Sequence, residues 1–215
     1  GEQDIEEALA NSCNGVFGQL AVELGGETMQ KYADAAGLTK SIKVDGIQSS
    51  VGKFDFSGND NQLAWSGVGQ GQDTLCPINM LQYMGAIANG GSAAEPFLVK
   101  EVTYGDSVKY KASTSSTGRL LDSTTAGRLA DMMHNAVVNV YGEWNFAGLY
   151  AGGKSGTAEN GGGKAANAVF AGFLQDSDYP LAFIVVVEEG GGGASVCTPI
   201  LSQVLSACVV AMDAD

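Results

Sequence analysis

The sequence predicts an α+β protein: an antiparallel sheet near the C-terminus, packed by a C-terminal helix, beside a mainly helical part. Three observations predict it. Three strand-sized segments follow one another between residues 153 and 188, separated by short polar breaks, as in an antiparallel meander rather than a strand–helix–strand unit. The last apolar stretch, 200–212, has helical periodicity. Ahead of residue 150 helical patterns predominate, and no internal repeat occurs. The division expected is therefore about 1–150, mainly helical, and about 151–215, strands and final helix.

Taken in order, Asp4-Ile5-Glu6-Glu7-Ala8-Leu9-Ala10 reads as a short helix capped by Asp4, its glutamates suited to the positive end of the helix dipole. After a break at 11–14, Val16, Phe17, Leu20, Ala21 and Leu24 make one apolar helical face that Gly25-Gly26 ends. A second helix over about 27–36 turns Met29, Tyr32, Ala33 and Ala36 inward and stops at Gly37. Residues 38–73 have weak periodicity and many Gly, Ser, Asn and Asp, which predicts a long ordered loop beside a cleft. A helix over 74–89 carries Pro77 in its first turn, a stripe of Ile78, Leu81, Met84, Ile87 and Ala88, and a stop at Gly90-Gly91. Segments 97–102 and 108–111 flank Tyr-Gly-Asp-Ser as a small hairpin. Asp122 or Ser123 caps a helix to about Val140, with Leu129, Met132, Met133, Ala136, Val137 and Val140 on its face. Strands follow over about 153–159, 165–174 and 181–188. A flexible glycine break at 190–193 precedes a helix started by Thr198-Pro199, with Leu201, Val204, Leu205, Cys208 and Val209 inward.

The chain has 215 residues, 45% hydrophobic and 16% charged, which is globular rather than disordered composition and enough for one domain with a substantial core. A net charge of −13 argues against nucleic acid and against anionic lipid as partners. No apolar run approaches the roughly 18 residues a membrane helix needs; the longest, 181–187, is strand-sized. The N-terminus lacks the pattern of a secretory signal and leads straight into helical sequence, as expected of a piece cut from a longer protein. Cys13, Cys76, Cys197 and Cys208 show no C-x-x-C or zinc spacing, so free, mostly buried thiols are expected, with a single bridge left open. His134, Asp131 and Glu159 have no evident catalytic partner, and Glu188-Glu189 reads as a solvated strand end. Trp65 and Trp144 lie in loop-like sequence, where packing against a core or cleft wall is expected.

The densest chemistry lies in Gly152-Gly153-Lys154-Ser155-Gly156-Thr157-Ala158-Glu159. In a strand, Lys154, Gly156 and Ala158 fall on one face and Ser155, Thr157 and Glu159 on the other. Glycine lets another group approach the backbone, and a lysine beside that gap suits a carboxylate. Ser12-Cys13-Asn14 sits at a helix entrance, where serine and asparagine serve either as caps or as the polar lining of a pocket.

Residues 8–14 with Phe17 and Leu20 resemble the S-x-N region of the transpeptidase domain of penicillin-binding proteins. Gly69-Gln70-Gly71 leading to Ala86-Ile87-Ala88-Asn89-Gly90-Gly91 resembles that family's middle helix, and Lys154-Ser155-Gly156-Thr157-Ala158 its K-[ST]-G-T-A strand. The three stretches stand in the family's order and span nearly the whole chain. One element departs: the S-x-x-K that carries the nucleophilic serine precedes S-x-N in the family, whereas only eleven residues precede Ser12, none of them serine. The one S-x-x-K string, Ser50-Val51-Gly52-Lys53, follows S-x-N in loop-like sequence and reads as a chance match.

The resemblance implies an incomplete β-lactamase/transpeptidase-like fold. It implies a parent enzyme that cross-links peptidoglycan stem peptides through an acyl-serine, on the extracytoplasmic face of a bacterial membrane, with the D-Ala-D-Ala stem and β-lactams as ligands. It implies no cofactor and no metal. By motif position, Ser12 would relay a proton, Asn14 would bind the acyl side-chain amide, and Lys154 would tune the charge around Ser12. Ser155 and Thr157 would bind the ligand carboxylate, Gly156 would leave room for the ligand, and the Thr157 N–H would form half of an oxyanion hole. The alternatives are a β-lactamase or D,D-carboxypeptidase of the same superfamily, and a non-catalytic binding or scaffold module. The long 38–73 stretch and the G-Q-G string favour the high-molecular-mass transpeptidases. Without the first part of the domain, a sheet edge and a face of the last helix would be uncovered, so self-association or complementation by the missing part is expected.

Overall fold

The computed structural model describes residues 2–214. It opens with α1 (Ile5–Ala10), α2 (Asn14–Leu24) and α3 (Gly26–Ala35), then a short hairpin of β1 (Lys43–Val44) and β2 (Ile47–Gln48). Next come α4 (Asp60–Gly67), α5 (Pro77–Ala88), β3 (Ser92–Ala94), the hairpin β4 (Glu101–Tyr104) and β5 (Ser107–Lys111), and β6 (Ser116–Arg119), which pairs back on β3. Helix α6 (Ser123–Ala136) runs into a π turn (Val137–Tyr141) and a 3-10 turn (Glu143–Phe146). The chain closes with β7 (Ala151–Ala158), β8 (Asn167–Leu174), β9 (Ala182–Val187) and α7 (Gly193–Met212).

Local chemistry accounts for the helix starts. Asp4 and Glu7 form a reciprocal capping box on α1, as Asn59 and Gln62 do on α4. Pro77 stands at the first position of α5, where its missing N–H costs nothing. The Asp122 carboxylate accepts from the Thr125 and Thr124 amides at the start of α6, and those bonds hold its pKa below the usual carboxylate value.

The strands β7, β8 and β9 form one antiparallel sheet in that order, so the expected meander is present. Alternation divides it cleanly. Phe170 and Phe183 face α7 and the 3-10 turn, packing with Phe146, Cys197, Leu201 and Leu205. Ala171 and Phe173 face α5 and α6, packing with Met84, Ile87, Ala130 and Met133. Phe170 and Phe173 are fully buried, each worth roughly 2–3 kcal/mol of hydrophobic stabilisation. Glycine makes both contacts fit: a Cβ at Gly152 would lie 2.4 Å from the Phe173 ring, and one at Gly153 2.5 Å from the Phe170 ring. The sheet is thus sandwiched between helices, and β7 keeps one edge that no strand covers among the described residues.

Several expectations fail for physical reasons. The stretch 38–73 is not all loop: its polar composition hides the β1–β2 hairpin and α4, whose capping box lies in a weakly amphipathic sequence. Trp65 consequently sits on a helix with half its surface exposed, and Trp144 is 78% exposed in the 3-10 turn, so neither packs into a core. Tyr32 and Leu24 also point outward, since α2 and α3 bury only narrow stripes around Ala21 and Ala33. Val140 is exposed because the π turn shifts the helical register after Ala136. Of the cysteines, all free, only Cys197 is buried, and burial pushes its thiol pKa up.

Helix α7 begins at Gly193, seven residues ahead of Ile200, and carries Pro199 inside it. The extra turns make it a 20-residue helix apolar and long enough to cross a membrane by length and composition, against the expectation that no such run exists. Cys197, Leu201 and Leu205 instead pack on the sheet. Val210 on its opposite side is exposed, and so is Val204 at the margin of the packed side, contrary to its predicted inward position. A groove of about 800 Å³ lies between α5 and the β8–β9 connection and does not include Ser12 or Lys154.

Candidate active site

Ser12 occupies an unusual backbone position. The amides of Ser12 and Cys13 donate to the carbonyls of Leu9 and Ala8, which places Ser12 at the left-handed residue that closes α1 in a Schellman motif. Its φ is +56°, a conformation that favours glycine. Neither Ser12 nor Asn14 caps α2: the cap is Cys13, and it makes no side-chain bond. The Ser12 hydroxyl instead accepts a hydrogen bond from Lys154 Nζ at 3.0 Å, across 142 residues of chain. Capping chemistry therefore does not account for these residues. Asn14, on the first turn of α2, is exposed.

Lys154 projects from β7 and is half-buried. Its three N–H donors meet three oxygens: Ser155 O at 2.8 Å, Ser12 Oγ at 3.0 Å and Tyr141 OH at 3.2 Å. Among the described residues the ion pair is Lys164 with Glu189, at the far hairpin end, so Lys154 carries its charge without a carboxylate. In a chain of net charge −13 this is a local cationic point.

The free edge of β7 presents the backbone groups of Ser155 and Thr157 away from β8. Ser155 N–H donates to Tyr141 OH at 3.1 Å, and Thr157 C=O accepts from Gln70 Nε2 at 3.1 Å. The N–H of Thr157 shares that edge by the alternation of antiparallel pairing. The Thr157 hydroxyl accepts from the Gly193 amide at 2.9 Å, at the first turn of α7. A Cβ on Gly193 would lie 2.1 Å from the Gly156 carbonyl, so only glycine lets the positive end of α7 rest on β7 there. Gly156 itself is uncrowded: its added Cβ would meet Val169 at an ordinary 3.7 Å, unlike those of Gly152 and Gly153.

The structure thus brings Ser12, Lys154, Ser155 and Thr157 to one edge, with Gly156 open beside them. Two polar groups were not assigned a role from sequence. Tyr141, buried in the π turn, contacts both Lys154 and Ser155. Its clue is the Tyr-Gly pair that closes a valine run out of helical register. Gln70 belongs to the G-Q-G string, and it reaches Thr157 from the loop after α4. The Ser50–Lys53 string does not join the site's hydrogen-bond network; it lies in irregular chain up to an isolated bridge between Lys53 and Thr74, not on a helix. His134 Nδ1 donates to the Ala151 carbonyl (2.8 Å) and the ring stacks on Tyr150, a satisfied structural histidine.

Residues 1–206 match the family model of the penicillin-binding protein transpeptidase domain, and the chain belongs to that family. Among curated relatives it is 28% identical over 217 residues to the peptidoglycan D,D-transpeptidase PbpA of Mycolicibacterium smegmatis, covering 95% of this chain and 44% of that protein. It is also 28% identical to the stage V sporulation protein D of Bacillus subtilis, covering 95% and 34%. Among solved structures, the imipenem acyl-enzyme complex of penicillin-binding protein A from M. tuberculosis superposes with a TM-score of 0.87 at 24% identity, over 97% of this chain and 48% of that one. The D,D-transpeptidase domain of a peptidoglycan glycosyltransferase from Eggerthella lenta gives 0.82 at 25%, over 97% and 54%. The chain spans less than half the length of these two curated relatives.

The left-handed backbone at Ser12 gives a direct test. Ser12→Gly and Ser12→Ala both remove the Lys154 contact, but only glycine relieves the φ of +56°. Ser12→Gly is expected to be more stable than Ser12→Ala by about 1 kcal/mol, a melting difference of roughly 2–4 °C. Thermal melts in which Ser12→Ala equals or exceeds Ser12→Gly would contradict the assignment.

Proposed function

We propose that this chain supplies the binding wall of a serine D,D-transpeptidase that cross-links peptidoglycan stem peptides on the extracytoplasmic face of the bacterial membrane. The observation that carries the reading is the 3.0 Å bond between Lys154 Nζ and Ser12 Oγ, which unites two motifs 142 residues apart. The names of the relatives as D,D-transpeptidases favour this reading over a β-lactamase or a non-catalytic module.

In the reaction, a serine oxygen of the parent attacks the carbonyl between the two terminal D-alanines. The C–N bond breaks, and the departing amine takes a proton. Ser12, whose oxygen already accepts from Lys154, keeps its own O–H to pass to that amine while regaining a proton from the nucleophile's side. Lys154 holds Ser12 in place and favours negative charge nearby. The amine of a second stem then attacks the ester and releases the serine. The terminal carboxylate lies against the hydroxyls of Ser155 and Thr157. The Thr157 oxygen accepts from Gly193 and so has its O–H to donate. The Thr157 N–H is one oxyanion donor, Asn14 holds the acyl side chain, and Gly156 leaves the space beside the strand. A ligand amide displaces Gln70 from the Thr157 carbonyl, adding to the sheet edge as an extra strand. β-Lactams occupy the same edge.

The nucleophile is assigned to an S-x-x-K of the parent outside this chain, and the isolated 215-residue polypeptide is expected not to acylate. Intact-mass spectrometry after incubation with penicillin tests this: the parent gains one adduct per chain and this polypeptide none. A stoichiometric adduct on Ser50 or any other residue here overturns the assignment, and a parent that takes no adduct overturns the enzyme reading.

The unpaired β9 edge and the exposed side of α7, with Val204 and Val210, are assigned to contact with the remainder of the domain or with a second copy. Sedimentation velocity of the isolated polypeptide is expected to show association that grows with concentration. A clean monomer at high concentration contradicts it.

A further inference from the structure

We propose that Tyr141 is a positioning residue that fixes the direction of the Ser155 hydroxyl, making Ser155 a hydrogen-bond donor toward the ligand carboxylate. The inference rests on the carboxylate reading above and follows from the number of sites on a phenol. A phenolic oxygen has two acceptor lone pairs and one O–H. Tyr141 OH lies 3.2 Å from Lys154 Nζ and 3.1 Å from the Ser155 amide. Both of these are obligatory donors, an ammonium and a backbone N–H, so both lone pairs are filled. The third neighbour, Ser155 Oγ at 3.0 Å, can then only accept the Tyr141 proton. Ser155 consequently has its own O–H left, and a hydroxyl whose oxygen is already engaged as acceptor turns that proton outward.

The surroundings hold Tyr141 in this role. It is 7% exposed, and its ring packs edge-on against Phe170 with centroids 4.9 Å apart. The Gly142 amide donates to Val137 O at 2.7 Å, closing the π turn that swings Tyr141 out of the α6 register toward β7. Asn145 Nδ2 donates to the Tyr141 carbonyl at 2.7 Å. The turn that disrupts the helix is thus the element that delivers the hydroxyl. Ser12 and Thr157 already have fixed donors in Lys154 and Gly193. With Tyr141 acting on Ser155, all three hydroxyls of the edge accept from the protein and present protons to the ligand. Such an edge favours a carboxylate and disfavours its amide, which brings N–H donors of its own.

The test uses this polypeptide and non-covalent binding, followed by NMR titration with N-acyl-D-Ala-D-Ala and its C-terminal amide. The wild type is expected to prefer the acid, and Tyr141→Phe, which keeps the ring, to lower that preference by about tenfold. Tyr141→Phe should also speed hydrogen exchange at the Ser155 amide, whereas Ser155→Ala should lower the acid preference and leave that amide protected. A fluorinated tyrosine at 141 adds a readout that packing alone would not move. Once ionised, that more acidic phenol must accept from Ser155, so acid preference in the fluorotyrosine chain falls as pH rises. It also serves if Tyr141→Phe does not fold. A Tyr141→Phe or ionised fluorotyrosine chain that keeps the full acid preference overturns the role of Tyr141 alone. A wild type without acid preference overturns the carboxylate reading and the inference built on it.

Discussion

The Lys154 ammonium is the constraint on which the site depends. It is bound by Ser12 from the α1–α2 junction, by Tyr141 from the π turn and by the Ser155 carbonyl of its own strand. Three elements converge on one cation, and one of them lies 142 residues away in sequence. Because no carboxylate neutralises it among the described ion pairs, its hydrogen bonds are to neutral oxygens. Those bonds orient the charge without cancelling it, so it still acts on an anion brought to the edge. An Asp or Glu partner would have stabilised the lysine and removed the field that makes the edge useful.

The rest of the fold holds that edge rigidly in place. Burying Phe170 and Phe173 on opposite faces fixes β8, and the register with β8 fixes β7. The glycines of the strand divide by role. Gly152 and Gly153 are required by aromatic rings packed against them, while Gly156 has room to spare inside the fold. At the far end, Gly193 brings the start of α7 against β7 so that its first amide binds Thr157. Among the described residues Asp45, Ala147 and Glu189 share the left-handed backbone of Ser12, and Ser12 is the one of them whose side chain meets Lys154.

Much of this was legible from residue pattern. The three strands, the cap at Asp4, a cap at Asp122 or Ser123, Pro77 in the first turn of α5 and the hairpin around Gly105 follow from local chemistry, although α5 starts at Pro77 and not at Thr74. The motif residues Ser12 and Lys154 were visible as types, but their contact depends on long-range packing that spacing does not encode. Helix α4 was hidden because an eight-residue helix with an exposed tryptophan has little periodicity. The start of α7 was hidden because Pro199, a common first-turn residue, sits in its interior. Tyr141 was hidden by the π turn: helical spacing predicts a face through Val140, and the inserted residue sends the next side chain elsewhere.

The central claim is that ligands dock along the free edge of β7, beside Lys154, rather than in the groove by α5. An amide-detected NMR titration of this polypeptide with an N-acyl-D-Ala-D-Ala peptide tests it most directly. The account predicts that the largest shifts occur at the Thr157 backbone amide and at the Gln70 side-chain amide, as the ligand takes the Thr157 carbonyl from Gln70. Shifts concentrated at Leu81, Gly85 and Ala182 in the groove, with Thr157 and Gln70 unmoved, would contradict it.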